Sequence, residues 1–151
     1  SEFWARTLNC FYCAFIIDKN FSRKTVMLNH FYRMMYIESS FSCYQAAKVL
    51  EYNDLSFEDI RYVRMKNYNE KTNVFCYYVV TSILMYEYQT IMKWCSIHNY
   101  NLFTIQLRNS KHFVELVKKL CNSYTLKHNL TILGNIKKQD RTLRMSLFDF
   151  L

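Results

Sequence analysis

Apolar residues recur at three- and four-residue spacings along most of this chain, and the pattern changes character once, after Asn99. Ala5–Ile17 is an apolar run with little alternation, closed by a polar turn at Asp18–Phe21. Lys24–Glu38 carries Val26, Met27, Phe31, Met34, Met35 and Ile37 at mixed three- and four-residue spacings, which predicts a second helix. Ser39 or Ser40 is expected to cap a third helix through Tyr52, with Phe41, Tyr44, Ala47, Val49 and Leu50 as its stripe. At Ser56-Phe57-Glu58-Asp59 the hydroxyl of Ser56 can accept from a free helical amide, and Asp59 can accept from the Ser56 amide in return. The helix opened there would turn Ile60, Tyr62 and Val63 inward and Arg61, Arg64 and Lys66 outward. Asn73 can cap Val74–Tyr86, the most apolar run and the expected centre of the core, and Tyr88–His98 follows with Ile91, Met92, Trp94 and Cys95.

Past Asn99 the period shortens. Leu102, Thr104 and Gln106 alternate with Phe103, Ile105 and Leu107, which predicts a short strand. Arg108–Ser110 turns into an amphipathic helix, Ser110–Asn122, with Phe113, Leu116, Val117, Leu120 and Cys121 on one face. Leu130–Leu133 reads as a second β-type run ending at Gly134. Leu143, Met145, Leu147 and Phe148 fit a last strand or a packing tail equally well. The expected fold is mainly α, one helical repeat-like domain over residues 4–151 running into a small winged-helix-like α/β portion over about 84–135.

Composition narrows the class. Half of the 151 residues are apolar, which excludes a disordered segment, and one Gly with no Pro favours helices joined by Asn, Ser and Asp. Ser1-Glu2-Phe3 reads as a cloning remnant ahead of an excised domain. Leu8–Ile17 lacks a basic leader, so secretion is not indicated. Val74–Tyr86 is interrupted by Thr81 and Ser82 and is too short to span a bilayer, so no membrane partner is expected. Cys43, Cys76, Cys95 and Cys121 sit in helical patterns and suit free thiols in an intracellular, reducing compartment. Cys10-x-x-Cys13 has no second cysteine or histidine pair to complete a metal site, and more naturally lines the first helix. His30, His98, His112 and His128 are isolated, and Gly134 alone cannot build a phosphate loop. No catalysis, cofactor, metal or small-molecule substrate is expected.

Five segments carry a family likeness. Asn29–Met35, Ser42–Ala47 and Tyr62–Arg64 resemble the helical part of the Sac3/GANP family of PCI-domain proteins from the nuclear transcription-and-export complex. Tyr86–Tyr100 is similar to the stretch where that family has an acidic helix, a Phe-Cys pair and a turn before its strand, and Arg108–Phe113 to the polar turn that follows. The acidic run is reduced here to Glu87, and Tyr100 stands where the family has Gly. The resemblance implies a non-enzymatic, nuclear mRNA-export scaffold that holds a second PCI subunit and joins its winged helix to a nucleic-acid platform. A helical-bundle inhibitor of host signalling proteins, viral or otherwise, is the alternative. Leu102–Leu107 separates the two, being a strand in the first and helical beside an inter-helix groove in the second.

Aromatic residues make up 18% of the chain, more than so small a core readily hides, so an exposed aromatic surface for a protein partner is expected. Phe31, Tyr32, Tyr44 and Tyr62 are its candidates. Charge points to a second kind of partner. Residues 1–91 hold ten Lys/Arg against nine acids, whereas 92–151 hold ten against three. That excess favours RNA or DNA through backbone contacts, with Lys93, Arg108, Lys111, Lys118, Lys119, Lys127, Lys137 and Lys138 as the candidate residues.

Overall fold

The computed structural model describes residues 2–18, 24–62, 68, 72–135 and 142–148. Seven α-helices order them: α1 (Glu2–Ile17), α2 (Lys24–Tyr52), α3 (Phe57–Arg61), α4 (Thr81–Tyr86), α5 (Tyr88–His98), α6 (Ser110–Leu120) and α7 (Tyr124–Asn135). A π-helical stretch, Phe75–Val80, leads into α4, and a 3-10 turn, Leu107–Asn109, leads into α6. Among the described residues there is no strand, so the winged-helix-like α/β portion expected over 84–135 is absent.

The central element is α2. Ser39 and Ser40 were expected to start a new helix, yet α2 runs unbroken through them. The Ser40 hydroxyl donates back to the Tyr36 carbonyl at 2.9 Å instead of capping a new first turn, and Ser39 is buried. The helix ends where Asp54 takes φ 52°, letting the Leu55 amide reach the Leu50 carbonyl at 2.9 Å. Arg6 of α1 lies beside Ser42 and Phe11 beside Phe31, so the two helices pack antiparallel.

Two apolar clusters sit along α2. The first joins Phe3, Trp4, Cys10 and Ala14 of α1 with Phe31, Met35, Met85, Ile91 and Cys95, and Phe113, Leu116 and Leu120 of α6 pack against it. The second joins Cys43, Ala46, Val49 and Leu50 with Phe57, Val79 and Ile83, closed by Leu126 and Leu130 of α7. Val79, Ile83 and Met85 thus place the Val74–Tyr86 run in both clusters.

Both expected strands fail for identifiable reasons. In Leu102–Leu107 asparagine side chains take the amides a ladder would need: Asn101 Oδ1 accepts from the Phe103 and Thr104 amides at 3.0 Å each, and Asn99 Oδ1 from the Gln106 amide at 3.2 Å. The result is a pinned irregular loop, neither strand nor helix. Leu130–Leu133 is helical because Leu126, Leu130 and Leu133 recur at i, i+4 and i+7 and point into the second cluster.

The capping box at Ser56 forms, with the Asp59 amide donating to Ser56 Oγ at 3.2 Å and the Ser56 amide donating to Asp59 Oδ2 at 2.8 Å. Its helix is a single turn, in which Ile60 is half-buried and Tyr62, expected inside, is exposed just beyond its end. Val63, Arg64 and Lys66 lie outside the described residues. No helix among the described residues is long and apolar enough to cross a membrane.

Candidate interaction groove

A groove of about 690 Å³ opens between α2, the α4–α5 junction and α7. Its α2 wall is Tyr32, Tyr36, Ser39, Ser40 and Cys43, residues that helical spacing brings onto one face. Its far wall is Thr125, Asn129, Ile132 and Leu133 of α7, and its end is Tyr86 to Thr90. Glu87 breaks the helix there, with φ −100° and ψ 28°, so Tyr86 and Tyr88 enter the groove from two differently directed helices.

The Tyr86 hydroxyl accepts from Asn129 Nδ2 at 2.9 Å and ties α4 to α7. The Tyr88 hydroxyl accepts from Gln89 Nε2 at 3.2 Å. Tyr36 is 74% exposed and Tyr32 48%, so Tyr36 presents most of its ring, and Tyr32 about half of its surface, to whatever enters. The lining contains one charged side chain, Glu87, and no Lys, Arg or His.

Of the four aromatic candidates, Tyr32 alone lines this groove. Phe31 is buried in the first cluster, edge-on to Phe11 at 6.0 Å. Tyr44 is half-buried, with the Lys48 ammonium 5.0 Å above its ring. Tyr62 is exposed beyond α3. The sequence reading missed Tyr36, Tyr86 and Tyr88. Tyr32 and Tyr36 stand one helical turn apart, a signal that could have found the wall, whereas the break at Glu87 that aims Tyr86 and Tyr88 leaves no Gly or Pro in the sequence.

The basic candidates divide. Lys93, Arg108, Lys111, Lys118 and Lys119 are exposed around α5 and α6, which meet through Trp94 and Phe113 with ring centroids 5.2 Å apart. Arg108 stacks over Tyr100 at 5.6 Å. Lys127 is half-buried and pairs with Glu58. Lys137 and Lys138 lie outside the described residues.

All six cysteines are free. Burial pushes the Cys10 thiol up to about 12, with the Glu38 carboxylate adding to it, and burial alone takes Cys43 to about 12. Cys13, Cys95 and Cys121 are raised by the same cause. Among the described residues no three His, Cys, Asp or Glu side chains gather in a way that could hold a metal ion. No family model, no curated protein and no solved structure matches this chain.

Proposed function

We propose that this chain is a protein-interaction module without catalytic activity, and that the groove between α2, the α4–α5 junction and α7 receives a segment of a partner protein. The supporting observation is the lining itself: four tyrosines around a groove with a single charge. Tyrosine offers a large apolar face and a polar tip at little cost in conformational freedom, which is why it is enriched among the residues that dominate binding energy. Chemistry at this site has less support. Cys43 is the one thiol on the lining and burial holds it protonated, and no histidine stands beside it as a base.

The partner reading does not depend on a winged helix, and the export-complex assignment that rested on one is set aside. An inter-helix groove is also what a helical-bundle inhibitor of signalling proteins would present, although the irregular loop at 102–107 departs from that expectation too.

The test is capture from native extract with the full chain as bait. A stoichiometric partner should be retained by the wild type and by Lys118→Glu, and lost with Tyr36→Ala. Truncating one aromatic anchor of this kind costs about 2 kcal/mol or more, roughly thirtyfold in affinity. Identical capture by the wild type and Tyr36→Ala would remove the groove from consideration.

A second reading is carried by the five exposed cations around α5 and α6. On Ser110–Leu120, Phe113, Leu116 and Leu120 pack inward, leaving Lys111, Lys118 and Lys119 facing out. If these meet a phosphate backbone, affinity for single-stranded RNA should drop by an order of magnitude or more between about 50 and 200 mM salt. Charge reversal at Lys118 and Lys119 should weaken it further. Absence of binding at the lower salt leaves these lysines as solvated surface.

A further inference from the structure

Helix α1 turns most of its large apolar side chains away from its own core. Its buried side, against α2 and α4, is Phe3 and Trp4 at the first turn and then small or polar residues: Arg6, Thr7, Cys10, Cys13 and Ala14. Leu8, Phe11, Tyr12, Phe15 and Ile16 lie on the opposite side and are between 41% and 60% exposed. At about 100° per residue these positions fall within an arc of roughly 140°, so they form a single stripe. A helix that is apolar all round is normally covered all round, and this chain covers α1 on one side. Polar residues on the outer side would cost the monomer nothing.

The chemistry of the stripe limits what covers it. The two charged residues of α1, Glu2 and Arg6, lie 3.6 Å apart, and Arg6 is buried. The stripe itself therefore carries no charge. It has nothing to hold a phosphate backbone, and it lacks the Lys and Arg with which helices that lie on lipid commonly meet the headgroups. A second copy of the same stripe is the better match. In a twofold contact the same patch faces itself, so a charge at its centre would meet its like, and here there is none.

The area is also of the right order. With about 200 Å² for a fully exposed large side chain, the stripe offers on the order of 500 Å² per copy. Two stripes face to face would remove on the order of 1,000 Å² from water, the size at which specific interfaces begin. Phe103, exposed and edge-on to Trp4 with ring centroids 5.1 Å apart, extends the surface at the N-terminal end of α1.

We propose that the outer stripe of α1 is the contact surface of a homodimer, in which α1 of one copy packs on α1 of the other about a twofold axis. An interface of this size gives a reversible dimer, with dissociation in the micromolar range. The dimer is independent of the aromatic groove, which α1 does not line, so either can fail without the other.

The test is sedimentation velocity of the full chain from about 1 to about 200 μM, which spans that range. The wild type should pass from monomer to dimer as concentration rises. Leu8→Glu and Tyr12→Glu each set like charges against one another across the axis and should weaken association at least about tenfold. Tyr52→Glu, at the exposed end of α2, and Tyr36→Ala, in the groove, should leave it unchanged. Both stripe positions are exposed, so these variants should keep the helical circular dichroism of the wild type.

A wild type that stays monomeric throughout overturns the proposal, as does a dimer that survives both stripe charges or is lost with Tyr36→Ala. Cosedimentation of a monomeric wild type with phosphatidylcholine vesicles, abolished by Tyr12→Glu, would give the stripe to a lipid surface and overturn it. So would a different protein held stoichiometrically by the monomeric wild type and released by Tyr12→Glu.

Discussion

Thiols report the interior residue by residue. Cys10, Cys43 and Cys95 are buried and Cys76 is exposed, so alkylation of the native chain should modify Cys76 first and reach the others only on unfolding. The same burial has a pH consequence. Cys10 and Cys43 have folded values near 12 against an ordinary 9.0, so between those limits the folded chain keeps protons that the unfolded chain releases. Stability from these two groups is fully present below pH 9 and declines as pH rises toward 12. Denaturation series across that window should show the decline, and Cys43→Ala should make it shallower by up to about 1.4 kcal/mol per pH unit. An identical slope in the variant would mean that Cys43 meets solvent in the folded state.

Helical elements announce themselves through caps and spacing, and the Ser56 box is the sharpest case. Replacing Ser56 with Ala removes the acceptor for the Asp59 amide and should cost about 1 kcal/mol in urea denaturation, since α3 is a single turn whose Phe57 is anchored in the second cluster. A change within error would show that Phe57 burial alone sets the turn. Local signals of this strength made α1, α3 and the run ending at Tyr86 legible in the sequence. Failures came where one local pattern has two physical uses. Ser39 and Ser40 have cap chemistry, yet in a helix already carried forward by Met35, Cys43 and Ala46 the Ser40 hydroxyl bonds back to the preceding turn. Alternation at 102–107 is a strand signal only if an edge is free to pair, and Asn99 and Asn101 claim those amides first. Of the groove, only Tyr32 was legible. Its other tyrosines are placed by the break at Glu87 and by α7 docking, both products of tertiary packing.

Taken whole, the molecule hangs two apolar clusters on one long helix, and the question is whether they melt together. Met35 of α2 belongs to the first cluster and Cys43 to the second, while Ile83 and Met85 divide between them within α4. Leu120 at the end of α6 packs against both. A cluster that opened alone would have to fray α2 and α4 through their middles and leave helical backbone and apolar surface exposed together, so cooperative unfolding is expected. Met35→Ala and Leu126→Ala remove fully buried side chains from opposite clusters and should each cost about 2–5 kcal/mol. Both should shift the same urea midpoint, with fluorescence from Trp4 and Trp94 in the first cluster tracking far-ultraviolet circular dichroism in either variant. Because the two sites share no cluster, the double variant should lose the sum of the single losses to within about 0.5 kcal/mol. If Leu126→Ala instead splits the transition, with circular dichroism falling ahead of tryptophan fluorescence, then α7 and the second cluster form a separately melting unit. The groove wall that α7 supplies would then be the first part of the protein to open.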